Sequence, residues 1–268
     1  YTGEDTLSLH DALPISSQDG GWQGTRPFII KEKRQESELI TSFVLAPLDG
    51  NPVLRFKPGQ YLSIKLVHPA LEHQEIRQYS LSDAPNGRDY RISVKREPRG
   101  QASNLLHDHL HIGDTVDIMP PAGDFFLQEE TDTPVVLISA GVGLTPMLSM
   151  LNHLLAEGPD MDIRWLHACE HGAHHAFRDE IRAKSRQHGK LESRIWYREP
   201  GEQDVKGEDY DFSGTLALEQ VTDLIPADAH YYFCGPVPFM KAVKAQLENV
   251  GVPAGRMHYE VFGPHQGL

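Results

Sequence analysis

The chain has 268 residues, a formal net charge of −13, an apolar share of 39% and a charged share of 24%. That length suits two domains of ordinary size, and the apolar share excludes a disordered chain. The acidic balance excludes nucleic acid and an anionic membrane as main partners, because both select basic faces.

Thr6 to Ile15 reads TLSLHDALPI, which looks like the translation of a sequencing adapter. Residues 1–16 are therefore expected to be a non-native leader and are left out of the fold, a natural flexible leader being the alternative. Residues 17–24 read as a linker. From residue 25 to 129, short runs with β character follow one another: Pro27–Glu32, Leu39–Ala46, Gln60–Val67, Ile76–Leu81, Tyr90–Lys95 and Thr115–Met119. Turn signals separate them, such as Asp49-Gly50-Asn51, Lys57-Pro58-Gly59 and Pro85-Asn86-Gly87. Six such strands predict a small antiparallel barrel, interrupted by a helix over Ser103 to His109.

The pattern changes near Glu129–Thr133, and residues 130–268 read as a second domain. Val135–Ser139 is a continuous apolar run, as in a strand buried on both faces. Strand-like runs recur at Asp162–Ala168, Leu191–Tyr197, His230–Phe233 and Met257–Val261. Helical segments lie between them at Thr145–Ala156, Phe177–Gln187, Leu216–Leu224 and Pro238–Val250. This alternation predicts a five-stranded parallel, doubly wound sheet. The longest apolar stretch, Val135 to Leu148, is broken by Gly141, Gly143 and Pro146 and is too short for a membrane span. With only Cys169 and Cys234, a disulfide framework is excluded and a reducing cytoplasm is the simplest compartment.

Four motifs carry the chemistry. Ser139-Ala140-Gly141-Val142-Gly143-Leu144-Thr145-Pro146 joins the first strand of the second domain to its first helix. Its glycines suit close approach to a diphosphate, Thr145 suits a cap, and Pro146 suits the first helical position. The three-glycine dinucleotide fingerprint is absent, because position 146 is proline, and a plain structural turn is the alternative. Arg77-Gln78-Tyr79-Ser80 ends a β run and offers a cation, an aromatic ring and a hydroxyl. Tyr61 is a second aromatic at a strand start. Gly100-Gln101-Ala102-Ser103-Asn104 opens a helix with small residues suited to phosphate oxygens. Either tyrosine alone also reads as an ordinary half-buried strand residue.

The order of these motifs, with Cys234-Gly235-Pro236 after them, resembles the ferredoxin reductase superfamily. Gly20-Gly21-Trp22, His73 to Leu81, Pro121-Ala122-Gly123-Asp124-Phe125-Phe126 and the ending His258 to His265 narrow the likeness to the reductase half of bacterial flavohaemoglobins, which are nitric oxide dioxygenases. The resemblance implies an FAD-binding barrel followed by an NAD(P)-binding domain. It implies hydride transfer from NAD(P)H to FAD, then single electrons passed to the haem of an N-terminal globin. Tyr61 and Arg77 to Ser80 match the positions that hold FAD, Gly141 to Pro146 match the nicotinamide nucleotide loop, and Val261, Phe262, Gly263 and Pro264 match the C-terminal flavin-contacting segment. Ser103, Cys234, Gly235 and Pro236 complete the expected cofactor contacts. Tyr79, Ser80, Glu260 and Phe262 are the expected catalytic group, with Glu260 tuning the redox potential. Two positions depart from the family: Val261 stands where cysteine is frequent, and Leu144 where glutamine is frequent. The residues before Gly20 are too few to fold around a haem, so any globin lies outside this chain.

A stand-alone reductase feeding an oxygenase or a ferredoxin is the enzyme alternative, and a nucleotide-binding module without turnover is the non-enzyme one. Two cysteines are too few for a fused plant-type iron–sulfur centre. Glu170 suits a ribose hydroxyl and Arg178 a 2′-phosphate, and the balance leans to NADH. His167, His171, His174 and His175 lack a zinc signature and read as solvated loop histidines, as do His107, His109 and His111. Lys31–Arg34 and Arg96–Arg99 read as solvated strand ends.

Overall fold

The computed structural model describes residues 19–128, 133–158 and 160–262. The leader expected at 1–16 and the domain junction expected at 129–130 lie outside them.

Six strands build the first sheet: β1 (Arg26–Gln35), β2 (Ile40–Pro47), β3 (Tyr61–Leu66), β4 (Glu75–Ser80), β5 (Tyr90–Lys95) and β6 (Thr115–Ile118), with α1 (Gln101–Asp108) between the last two. Their spatial order is β4-β3-β6-β1-β2-β5 and every pairing is antiparallel. A bridge from Leu81 to Ile92 joins the two edges and closes the barrel. Period-two patterning fills it: Leu62, Ile64 and Leu66 of β3 point inward between half-exposed neighbours. Trp22 lies against this barrel, its Nε1 donating to the Ile118 carbonyl at 3.0 Å and its ring 5.7 Å from that of Phe28. Helix α1 is held by residues that the sequence suggested were solvated strand ends. Lys33 Nζ donates to the carbonyls of Leu106, His107 and Leu110, and Arg96 pairs with Asp108 at 2.6 Å. A cation at a helix C-terminus satisfies carbonyls that lack a partner within the helix.

The second sheet is parallel and has six strands, one more than expected: β7 (Val135–Ala140), β8 (Ile163–Cys169), β9 (Leu191–Tyr197), β10 (Phe212–Ser213), β11 (His230–Gly235) and β12 (Met257–Val261), in the order β10-β9-β8-β7-β11-β12. The extra strand β10 is two residues long and has no periodicity to read, and it is held by Phe212 stacking on Trp196 at 4.9 Å. Strand β7 is buried on both faces. Leu137 packs towards α2 (Leu144–Glu157) and α3 (Arg178–Gln187), while Val136 and Ile138 pack towards α4 (Val237–Asn249). The helix expected at 216–224 is instead a kinked 3₁₀ segment over Leu218–Leu224. Its buried residues Leu218, Val221 and Leu224 recur every third position, and three residues per turn places them on one face. Among the described residues no helix is long and apolar enough to cross a membrane.

Candidate functional site

Antiparallel pairing sets Tyr61, the first residue of β3, opposite Ser80, the last of β4. The Arg77–Ser80 motif and Tyr61 therefore meet at one end of the barrel. Gly123 adopts φ +113°, and a Cβ there would lie 2.9 Å from the Tyr61 ring, so the ring and the 121–126 loop fit only around a glycine. Ser80 is buried. Tyr79 is largely buried, which pushes its phenol up to about 12 and keeps it protonated. Arg77 stays exposed; its guanidinium pairs with Glu75 and donates to the Ile76 carbonyl at 2.9 Å.

On the other side, β7 and β11 are adjacent while the chain leaves them towards opposite edges of the sheet. This is the switch point of a doubly wound fold, where ligands bind beyond the strands' carboxyl ends. The two loop glycines serve different needs. Gly141 has φ +54° with open space where a Cβ would stand; Gly143 has an ordinary backbone, but a Cβ would lie 2.3 Å from the Cys234 carbonyl oxygen. The close approach made by Gly143 is thus to β11. Thr145 does not cap α2: it is the second helical residue, and its Oγ1 donates to the Val142 carbonyl at 3.0 Å. Pro146 is the third helical residue and not the first. It still lies within the first turn, where N–H groups have no partner inside the helix.

These two ends face each other across a cavity of about 1360 Å³. From the barrel it is lined by Tyr61, Arg77, Gln78, Tyr79, Ser80 and Ser103, and from the second domain by Val142, Thr145, Glu260, Val261 and Phe262. The cavity wall does not include Gly141, Gly143, Leu144, Pro146, Cys234, Gly235 or Pro236. Leu144 and Cys234 are buried in the core beneath α2, which removes their side chains from any contact there. Burial, reinforced by Glu260, also pushes the Cys234 thiol well up. Gly263 and Pro264 lie outside the described residues.

The Ser103 hydroxyl is already engaged, accepting from the Glu97 N–H at 3.1 Å and donating to the Gly100 carbonyl at 3.2 Å. What α1 offers the cavity is its first-turn N–H groups. Glu260 is mostly buried and has no charge partner among the described residues, and burial pushes its carboxyl up to about 7. Its Oε2 finds no hydrogen-bond partner among the described residues. Lys95, Arg99 and the 123–126 loop also line the cavity. Pro121 to Phe126 stood out as a motif, whereas nothing local marks Lys95.

Two of the histidines expected in solvated loops are core residues. His167 and His175 are buried, with rings stacked at 5.3 Å. His167 Nδ1 hydrogen-bonds Ser139 Oγ at 2.8 Å and His175 Nδ1 hydrogen-bonds the Tyr197 hydroxyl at 2.8 Å. In β8, Ile163, Trp165 and His167 share one face, and that face is core. His107 is half-buried, with Nε2 2.8 Å from the Val94 carbonyl. Glu170 pairs with Arg198 at 3.0 Å and Arg178 with Asp209 at 3.1 Å, so both groups expected at the ribose already have partners.

The barrel half matches the family of oxidoreductase FAD-binding domains over residues 27–127, and the second half matches oxidoreductase NAD-binding domains over residues 137–245. The chain is 49% identical over 251 residues to a flavohemoprotein of Rhizobium meliloti strain 1021, covering 91% of this chain and 62% of that protein. It is 44% identical to the solved flavohem-like FAD/NAD-binding domain of nitric oxide dioxygenase from Vibrio cholerae O1 biovar El Tor. That match has a TM-score of 0.81 and covers 89% of this chain and 99% of the other. The chain belongs to the flavohaemoprotein reductase family. As such it is an FAD-dependent NAD(P)H oxidoreductase with FAD and nicotinamide nucleotide as cofactors. A flavohemoglobin of Malassezia yamatoensis, solved with FAD and heme bound, is 26% identical with a TM-score of 0.77, over 89% of this chain and 60% of that one. The chain thus spans 62% of the length of the Rhizobium meliloti flavohemoprotein it matches.

Proposed function

We propose that this chain is the reductase module of a flavohaemoglobin-type nitric oxide dioxygenase, drawing a hydride from NAD(P)H and delivering single electrons to a globin haem. The observation that supports it best is the single cavity shared by the Arg77–Ser80 strand end, the start of α2 and the end of β12. Its contours fit a dinucleotide: a tyrosine seated on a glycine, a buried serine, an arginine at the mouth and an acid held near neutrality. Bound FAD supplies the step from a two-electron donor to a one-electron acceptor. Tyr61 and Tyr79 would flank its ring system and Ser80 would hydrogen-bond it. Arg77 would leave Glu75 to meet the diphosphate, helped by the N–H groups opening α1. Val142 and Thr145 would border the nicotinamide side. Phe262, at the rim and 39% exposed, would cover the ring face that nicotinamide must reach. Glu260 would set the local charge, and NADH is the favoured donor. Two free cysteines fit a reducing, cytoplasmic setting.

Purified protein given FAD should turn yellow, and NADH should bleach it anaerobically. A protein that takes up no FAD, or whose flavin NADH leaves oxidised, overturns the proposal. Oxidation of the bleached protein by a globin haem, against an artificial acceptor, tests the electron acceptor. Catalytic efficiency with NADH against NADPH tests the donor.

A further inference from the structure

The seam between the two halves has a polar fastening that the cavity chemistry does not use. The turn Ser82-Asp83 follows Ser80 by two residues and is met by two elements, α2 and β5. From α2, Ser149 Oγ donates to the Asp83 carbonyl at 2.7 Å and Asn152 Nδ2 donates to Asp83 Oδ1 at 2.8 Å. From β5, Arg91 Nε donates to Ser82 Oγ at 3.1 Å and its Nη2 donates to the Ser82 carbonyl, while Nη1 stands 3.7 Å from Asp83 Oδ2. The same guanidinium lies over the ring of Phe177, 5.2 Å from its centroid, at the start of α3.

Phe177 is the one non-glycine residue with positive φ among the described residues, at +59°. An aromatic side chain in the left-handed region is strained, and such strain persists only where surroundings enforce it. Here its ring is buried in the second domain's core and roofed by a cation from the first. A cleft of about 390 Å³, lined by Asp83, Arg91, Asn152, Glu180 and Lys184, opens beside these contacts. On this side the seam carries directional bonds beside an open cleft.

Resting on the function proposed above, we infer that Asp83, Arg91, Asn152 and Phe177 form an interdomain latch that fixes the middle of α2 against the turn that follows β4. It is a positioning device. Helix α2 rises about 1.5 Å per residue, so Ser149 sits only about 7–8 Å along the axis from Leu144, where the nucleotide loop ends. Asp83 lies three residues past Ser80. A shift of about 1 Å at this fastening therefore passes to both walls of the cavity with little room to dissipate, and misplacement of that size costs roughly 100-fold in rate.

The test exchanges donor and acceptor. Asn152→Asp sets a second carboxylate against Asp83; Asp83→Asn combined with Asn152→Asp restores a donor–acceptor pair. Three quantities are read: FAD content, amide hydrogen exchange of segments 81–84 and 144–152 in nucleotide-free protein, and the rate and NADH concentration dependence of flavin bleaching. Asn152→Asp should keep its FAD, exchange faster in both segments, and bleach at least 10-fold more slowly at saturating NADH. The double variant should recover most of both losses. Unchanged exchange and rate in Asn152→Asp, loss of its FAD, or no recovery in the double variant overturns the latch. Should Asn152→Asp fail to fold, Arg91→Lys, which removes the fork spanning Ser82, must show the same slowing with FAD retained, and an unaltered rate there overturns it. If wild-type protein takes up no FAD or resists NADH, the functional proposal fails, while hydrogen exchange in nucleotide-free protein still tests the fastening.

Discussion

Two glycines two residues apart show how differently single positions are constrained. At Gly143 an added methyl would overlap the Cys234 backbone at 2.3 Å, whereas at Gly141 the space is open and only φ +54° resists. Gly143→Ala should therefore displace the loop from β11 and destabilise by at least about 2–3 kcal/mol. Gly141→Ala should cost about 1–2 kcal/mol through its left-handed backbone. Denaturant titration of the two variants compares them. Glu260 supplies a second prediction. Burial raises its carboxyl from the usual 4.5 to about 7, so the folded state holds a proton that the unfolded state has released over that interval. Stability from this group is full below pH 4.5 and declines as pH rises to about 7, by up to roughly 3 kcal/mol. Glu260→Gln should thus stabilise nucleotide-free protein at pH 8 and leave it unchanged at pH 4, as read by thermal midpoints. The glycine-rich loop was legible in the sequence, but not which glycine does what, because close approach depends on a strand some ninety residues further along the chain.

At the scale of elements, the buried histidine pair belongs to the join of β7, β8 and β9. Burial pushes His167 down to about 4 and His175 well below its usual range, so both are neutral in the folded protein at pH 7. Their unfolded counterparts gain protons below about pH 6.5. The stability they contribute is whole above that pH and is lost as pH falls towards 4, by about 3 kcal/mol for His167. This trend is opposite in sign to that of Glu260. Replacing His167 with Gln should shift the acid-unfolding midpoint to lower pH, as followed by far-ultraviolet circular dichroism. The thiols follow the same logic: burial pushes Cys169 up to about 12 and Cys234 well above the usual thiol range, so both should resist a thiol reagent at pH 8 until denaturant is added. Strand β8 carries His167 inward by its two-residue period with Trp165, a signal that was present in the sequence. It was masked because the neighbouring His171 and His174 do sit in a half-exposed turn.

At the scale of the whole molecule, α2 lies between the parallel sheet and the barrel, and the core beneath it takes in Ile40 and Phe125 from the barrel side. Gln128 N–H donates to the Tyr232 hydroxyl at 2.9 Å and Glu38 N–H to the Ala173 carbonyl at 3.0 Å, adding to the latch around Asp83. The cavity exists only because the halves are held in this arrangement. FAD filling it should stabilise the folded chain by mass action. At a hundred times its dissociation constant the gain is about 2.7 kcal/mol, a rise of roughly 5–10 °C in thermal midpoint. A midpoint indifferent to FAD would separate this cavity from the cofactor.

The sequence by itself determined the two-part architecture, nearly every strand and the segments that face each other across the cavity. Period-two burial, turn residues and glycine loops are local constraints, written within ten residues of where they act. Only the tertiary structure decided that β10 exists, that Lys33 and Arg96 secure a helix, that His167 and His175 are core, and that Asp83 fastens one half to the other. Each of these depends on partners brought together from distant parts of the chain, and burial and hydrogen bonding are set by those neighbours, not by the residue's own chemistry.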